Sequence, residues 1–263
     1  MCLIAIAWQS RPSLPLVVAA NRDEWRERPT QPAHWWPDHP EILAGRDLEA
    51  HGTWMGVTRG GRFAAVTNFR DPSDKRATAR SRGALVSGFL LSNEAPRAFL
   101  SALAPHAREY NGFNLVVGDG RELWYFGSRE AEARAIEPGV HGLSNHLLNE
   151  PWPKVVRARE AMREAVQRDE PFAGLFDLLS DGQGSPDASL PNTGVGIEWE
   201  RRLASPLITG VDYGTRASTV VSVSAAGDVR FEERTRLADG AVDGVAAYRF
   251  ALATSAASSS PVL

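Results

Sequence analysis

Apolar residues along this chain gather in short runs separated by tight polar turns. Cys2–Trp8 and residues 14–20 flank Arg11-Pro12-Ser13, and residues 53–58 and 62–68 flank Arg59-Gly60-Gly61. Residues 113–117 and 122–126 flank Gly118-Asp119-Gly120, and residues 218–224 and 228–233 flank Ala225-Ala226-Gly227. Each pair reads as a β-hairpin, with glycine supplying the positive φ that tight connections demand. The first two runs are apolar almost without interruption, which predicts strands covered on both faces. Helical spacing falls between the hairpins, over Gly83–Leu91, 95–103 and 172–179. The clearest helix begins near Trp152: Trp152, Val155, Val156, Met162 and Val166 share one face, and Arg157, Arg159, Glu160 and Glu164 lie largely elsewhere. Pro151 and Pro153 suit its first turn.

Residues 181–196, rich in Gly, Pro, Asp and Ser, read as a long loop. Hairpins with helices inserted between them predict an α+β fold of largely antiparallel sheets with helices packed outside. No repeat and no shift in composition divides the chain, so residues 1–252 are expected to form one domain and 253–263 a frayed tail.

Composition narrows the function classes. A net charge of −3 gives no electrostatic case for a nucleic-acid partner. The apolar start is not expected to be a secretory signal, because no basic segment precedes it and Arg11-Pro12 interrupts it. No run reaches the ~20 apolar residues of a transmembrane helix. The single cysteine excludes an internal disulfide framework and fits a reducing, cytoplasmic location. It also excludes a cysteine-rich metal site, and no metal ligands are assigned.

That cysteine is residue 2, directly behind the initiator methionine. Removal of Met1 would put a thiol and a free α-amine on one residue. With an amine pKa of about 7.7–8.0 and a thiol pKa near ~8.5, the amine can take the thiol proton close to neutrality. Cys2 would then carry nucleophile and base together, as an N-terminal threonine does. The competing reading is a small apolar residue opening a buried strand.

Polar residues collect where apolar strands stop: Asn21-Arg22-Asp23-Glu24 after the second run, then Asn68, Asn145 and Arg216. Taken singly, each is an ordinary turn or cap residue. Taken together, they match the needs of amide or thioester cleavage at Cys2. Asn68 or Asn145 can donate to the oxyanion. Arg22 or Arg216 can lower the thiol and amine pKa values, and Asp23 or Glu24 can hold the amine. If the strand continues regularly through residues 21–24, Asn21 and Asp23 face one side and Arg22 and Glu24 the other.

At these residues the chain resembles the NRDE family, a transport and Golgi organisation protein 2-like group. The resemblance runs through Met1-Cys2-Leu3-Ile4, Asn21-Arg22-Asp23-Glu24, Gly52-Thr53-Trp54-Met55-Gly56 and Thr67-Asn68. It continues in Tyr110-Asn111-Gly112-Phe113-Asn114-Leu115, Gly142-Leu143-Ser144-Asn145, Pro151-Trp152 and Tyr213-Gly214-Thr215-Arg216. The family is distantly similar to N-terminal-nucleophile hydrolases with cysteine nucleophiles, such as penicillin V acylase and bile-salt hydrolase. This similarity implies a four-layer αββα sandwich with Cys2 heading a central strand. It implies roles for Asn68 in oxyanion or substrate contact, Asn145 as the oxyanion asparagine, and Arg216 as the arginine near the thiol.

One departure concerns the charges. Aligning Trp25 with the acylases' aromatic residue puts Asn21 where they carry Arg and Glu24 where they carry Asp, with Arg22-Asp23 between. The resemblance also implies a second reading, a haem or acyl-coenzyme A/lipid binding and trafficking protein on the same fold. Haem would then be the ligand, held by Cys2, His34, His51, His106, His141 or His146, whereas hydrolysis requires no cofactor. His34-Trp35-Trp36-Pro37 and Trp54 are candidates for lining a ligand pocket, or for ordinary packing. A protein-interaction module has little support, because heptads and Pro-rich ligand motifs are absent.

Overall fold

The computed structural model describes residues 2–168 and 170–253, with Cys2 represented by its backbone. The expectations on Met1 removal and on the tail beyond residue 253 lie outside the described residues. The four hairpins pair as expected within two larger sheets whose strand pairings are all antiparallel.

The first sheet contains β1 (Cys2–Trp8), β2 (Leu16–Trp25), β10 (Gly139–Leu143), β11 (Tyr213–Val223), β12 (Asp228–Arg236) and β13 (Val242–Ala251), in the order β10-β1-β2-β11-β12-β13. The second runs in chain order through β3 (Thr30–Trp35), β4 (Ile42–Asp47), β5 (Met55–Thr58), β6 (Phe63–Asn68), β7 (Phe113–Gly118), β8 (Leu123–Gly127) and β9 (Arg134–Ala135).

Strand alternation builds three apolar layers. Ile4, Ile6 and Trp8 of β1, with Leu16, Val18 and Ala20 of β2, face the second sheet and meet Met55, Val57, Phe63 and Val116. Leu3, Ala5, Ala7, Val17 and Ala19 face outward onto α3 (Pro153–Ala165) and α4 (Pro171–Leu179). The outer face of the second sheet, with Ala64, Leu115 and Val117, packs on α1 (Gly83–Leu91) and α2 (Pro96–Leu103). The result is a four-layer αββα sandwich. Each fully buried Leu, Ile, Val or Phe in these layers contributes about 1.5–3 kcal/mol of transfer free energy.

Helix α1 has the expected bounds, and α3 begins at Pro153, one residue after Trp152. Val156 differs from the expected face and is exposed, while Lys154 is buried. Strands β3, β4, β10 and β13 and the short helix α5 (Ile197–Arg202) were not expected from the pattern. Pro32 interrupts β3, Gly139 and Gly142 dilute β10, and β13 is an edge strand with exposed Val242 and Val245. Only short apolar runs occur in these segments, Ile42-Leu43-Ala44 in β4 and Val245-Ala246-Ala247 in β13.

Candidate functional site

The antiparallel register of β1 and β2 places Cys2 opposite Arg22 and Leu3 opposite Asn21. On its other side β1 pairs with β10, matching Ile4 with Leu143. Two residues from that match lie Cys2 on one strand and Asn145 beyond the end of the other. Four-residue convergence at this point is prevented because β2 continues as a strand through Trp25. Asn21 and Asp23 therefore point to the helix side, and Arg22 to the space between the sheets.

Arg22 is 5% exposed and its guanidinium stacks 4.3 Å from the centroid of Trp54. It donates to Thr30 Oγ1 at 3.1 Å and lies 3.8 Å from the Glu24 carboxylate. Glu24 itself accepts from the Trp25 backbone N–H, as a local cap. Trp54 lies directly over Gly45, where a Cβ would come within 2.2 Å of its ring. Ile4, Arg22, Trp54, Met55, Val66 and Thr219 wall a small cleft here, of about 10 Å³. That is room for about one water, so an acyl chain enters only when a wall such as Trp54 moves.

Behind Arg22 lies Glu233, fully buried. It accepts from Ala33 N–H at 2.7 Å and from Thr219 Oγ1 at 3.2 Å. Burial pushes its carboxyl pKa above the ordinary value, against the pull of these donors and of Arg22.

On the helix side, Asn21 is 0% exposed. Its amide donates to the carbonyls of Leu179 and Pro206, both at 2.9 Å, and its Oδ1 accepts from Ser218 Oγ at 2.7 Å. These bonds tie β2 to the end of α4, to the segment before β11 and to β11 itself. Asp23 accepts from Thr215 Oγ1 at 2.7 Å. Burial raises its pKa, and Lys154, Thr215 and Arg70 oppose that rise. Lys154, on the first turn of α3, donates to Leu203 O at 2.9 Å. Asp23 thus sits at a concentration of buried charge one residue beyond the Cys2–Arg22 pair.

Asn145 is fully buried and donates from Nδ2 to the Asn68 carbonyl at 3.0 Å. Asn68 therefore reaches this network through its backbone. Ser144 Oγ and Arg70 Nη2 approach Asn145 Oδ1 at 3.3 and 3.4 Å, and Arg70 N–H donates to Asn145 O at 2.7 Å. A chain of buried bonds supports the loop. Tyr125 O–H donates to Asn114 Oδ1, Asn114 donates to Thr67 Oγ1 and to His146 O, and Thr67 donates to Ser144 O.

Arg216 is the extra residue of a bulge in β11, between Thr215 and Ala217. Its Nη1 donates to the carbonyls of Trp25, Arg26 and Arg28, fastening the turn between β2 and β3. Burial lowers its pKa, and the nearby Arg22 and Arg26 lower it further. The structure thus draws Arg22, Asp23 and Asn145 toward the start of β1, while Asn21 and Arg216 brace the surrounding backbone and Glu24 lies at its rim. Arg70, Lys154, Thr215 and Glu233 escaped sequence reasoning. Arg70 stood two residues beyond the block ending at Asn68, and Thr215 stood within a recognised block without being singled out.

Four of the histidines suggested as haem ligands have other partners. His34 Nδ1 lies 2.8 Å from Pro32 O, and His106 Nδ1 lies 2.7 Å from Glu109 Oε1. His141 is held by Glu137 O and Asn149, and burial lowers its pKa. His146 pairs with Glu150 between the rings of Phe69 and Trp152, and His51 is exposed with φ 60°. Among the described residues, no group of three or more His, Cys, Asp and Glu is placed to hold a metal. Trp36 is buried in the outer core and Trp35 packs on Phe250 at 5.0 Å, so of the proposed pocket aromatics Trp54 alone lines the cleft. No helix is long and apolar enough to cross a membrane among the described residues.

Residues 1–238 match the family model described as transport and Golgi organisation 2. The chain belongs to this family. A transport and Golgi organization protein 2 homolog of Bos taurus is 37% identical, over 90% of this chain and 94% of its own. Two solved structures of hydrolases share 10% identity with this family member. An N-acylethanolamine-hydrolyzing acid amidase ortholog from Caenorhabditis elegans has a TM-score of 0.48, covering 83% of this chain and 92% of its own. A conjugated bile acid hydrolase from Clostridium perfringens has a TM-score of 0.44, covering 94% and 92%.

Proposed function

We propose that this chain is an N-terminal-nucleophile hydrolase that cleaves an amide or thioester of an acyl-containing small molecule with Cys2. The observation that supports it is the register at the start of β1, with Arg22 opposite Cys2 and Asn145 at the end of the neighbouring strand. After Met1 is removed, the Cys2 amine takes the thiol proton and the sulfur attacks the acyl carbonyl. Asn145 has one amide proton on Asn68 O and offers the other to the oxyanion. The ammonium returns its proton to the leaving amine or thiol, and a thioester remains on Cys2. Water, deprotonated by the same amine, then hydrolyses that thioester and restores the thiol. Asp23 holds the ammonium, and the positive charge of Arg22 favours the thiolate. The single cysteine suits a reducing compartment, and the proposed location is the cytoplasm.

Intact mass of the protein expressed in cells, before and after an alkylating probe, tests the reading. Loss of Met1 with fast labelling at Cys2, reduced by Asn145→Ala, is expected. Retained Met1, or a Cys2 inert at neutral pH, would sink the self-activated nucleophile. A binding and trafficking role for acyl-coenzyme A or lipid is the second reading, favoured by the apolar walls Ile4, Met55 and Val66 of the cleft. Haem has less support, because the candidate ligands His34, His106, His141 and His146 have other partners.

A further inference from the structure

Arg70 follows β6 and is buried with its partner: its side chain is 4% exposed and that of Glu200 3%. Its Nη1 donates to Glu200 Oε2 at 2.6 Å, and its guanidinium lies 4.8 Å from the centroid of Trp152. Its Nε is buried without a hydrogen-bond partner. The other oxygen of Glu200 accepts from the N–H and the hydroxyl of Thr193, at 2.8 and 2.6 Å. A carboxylate is thus seated in a built receptor, one side chain away from Asn145.

The receptor is filled from a six-residue helix whose outward face is exposed. Glu200 is the only buried residue of α5, whose Ile197 is 47% exposed. Trp199 packs edge-on against Trp25 and Tyr213, at 6.2 and 5.8 Å between centroids, and Arg202 donates to Asp212 and to Tyr213 O, so lifting α5 must break these contacts as well. Gly194 and Gly196, at φ +86° and +87°, precede the helix in conformations that other residues rarely adopt. A small cleft already opens between Arg70, Trp152, Lys154, Leu190 and Glu200. A buried ion pair returns little net stability, because desolvating both charges offsets most of their attraction. At Arg70 itself, exchanging one carboxylate for another costs little, whereas leaving Arg70 bare costs much.

We propose that Arg70 is the carboxylate-binding subsite of the candidate site, and that Glu200 is an internal ligand which an acidic substrate displaces by lifting α5. This deepens the hydrolase reading by assigning it a substrate class: acyl compounds carrying a free carboxylate. The guanidinium supplies the charge and a second, unused edge through Nε. Asn145, bonded to the same arginine, couples filling of the subsite to the oxyanion position.

The test is binding of N-octanoylglycine, its neutral methyl ester and octyl phosphate to the full chain, read by calorimetry and by tryptophan fluorescence. Glu200→Gln removes the competing charge and is expected to bind N-octanoylglycine about 10-fold more tightly than wild type, with the ester unchanged. Adding Arg70→Gln should abolish the gain. An equal gain for octyl phosphate would overturn the carboxylate assignment. Equal affinity of wild type and Glu200→Gln for the acid, or no binding to either, would overturn the subsite itself. If Glu200→Gln does not fold, hydrogen exchange on wild type decides: the acid must speed exchange across residues 190–203 and the ester must not. Exchange unchanged by the acid overturns the proposal. Binding is read without turnover, so an inert Cys2 leaves the subsite standing and a silent Arg70 leaves the nucleophile standing.

Discussion

Truncating Asn21 separates scaffolding from chemistry in Asn21-Arg22-Asp23-Glu24. In Asn21→Ala the strand remains, but three buried hydrogen bonds vanish: two to the carbonyls of Leu179 and Pro206 and one from Ser218. Each such bond contributes about 0.5–1.5 kcal/mol net, and a buried group left without a partner costs about 1–3 kcal/mol. Ser218 Oγ still accepts from Arg236 Nε at 3.0 Å, so only its donor proton loses a partner. The two carbonyls lose the Asn21 amide. Taking about 1.5 kcal/mol for each of them, the loss comes to about 3 kcal/mol. For a chain of this size that lowers Tm by roughly 6–12 °C. Urea unfolding of wild type, Asn21→Ala, Ser218→Ala and the double variant measures the cost and its coupling. The double variant should lose less than the sum, because one bond is counted in both singles. Cys2 labelling in the folded baseline should stay near wild type. A loss below about 1 kcal/mol, combined with abolished labelling, would refute the scaffold role and place Asn21 in the chemistry.

Further outcomes follow from neighbouring contacts. Tyr125→Phe removes the O–H that donates to Asn114 and accepts from Leu148 N–H, and should cost about 1–3 kcal/mol in chemical denaturation while loosening hydrogen exchange at Ser144 and Asn145. Gly45→Ala puts a Cβ where the Trp54 ring now lies; a changed fluorescence spectrum that disappears in the Trp54→Phe background is expected, and an unchanged one would disprove the close approach. Because burial raises the Glu233 pKa in the fold, its contribution is fully present below the unfolded carboxyl value and is lost as pH rises through the folded one. Glu233→Gln should therefore compare more favourably with wild type at pH 8 than at pH 4, and equal differences at both would contradict the shift.

Local chemistry was sufficient for much of the architecture. Unbroken apolarity in β1 and β2 announced strands covered on both faces, because a strand between two layers has no solvent side. Glycine-bearing turns announced the hairpins, and proline with 3.6-residue spacing located α3. Period-two alternation alone separated Asn21 and Asp23 from Arg22 and Glu24. Register, loop closure and burial were decided only in three dimensions. Arg216 was legible as a strand-end arginine, but only its bulge turns it toward three carbonyls of the β2–β3 turn. Arg70 and Glu200 are 130 positions apart, and nothing local to either segment signals their pairing. Opposite charges find each other across that distance only where packing excludes water and leaves each no better partner.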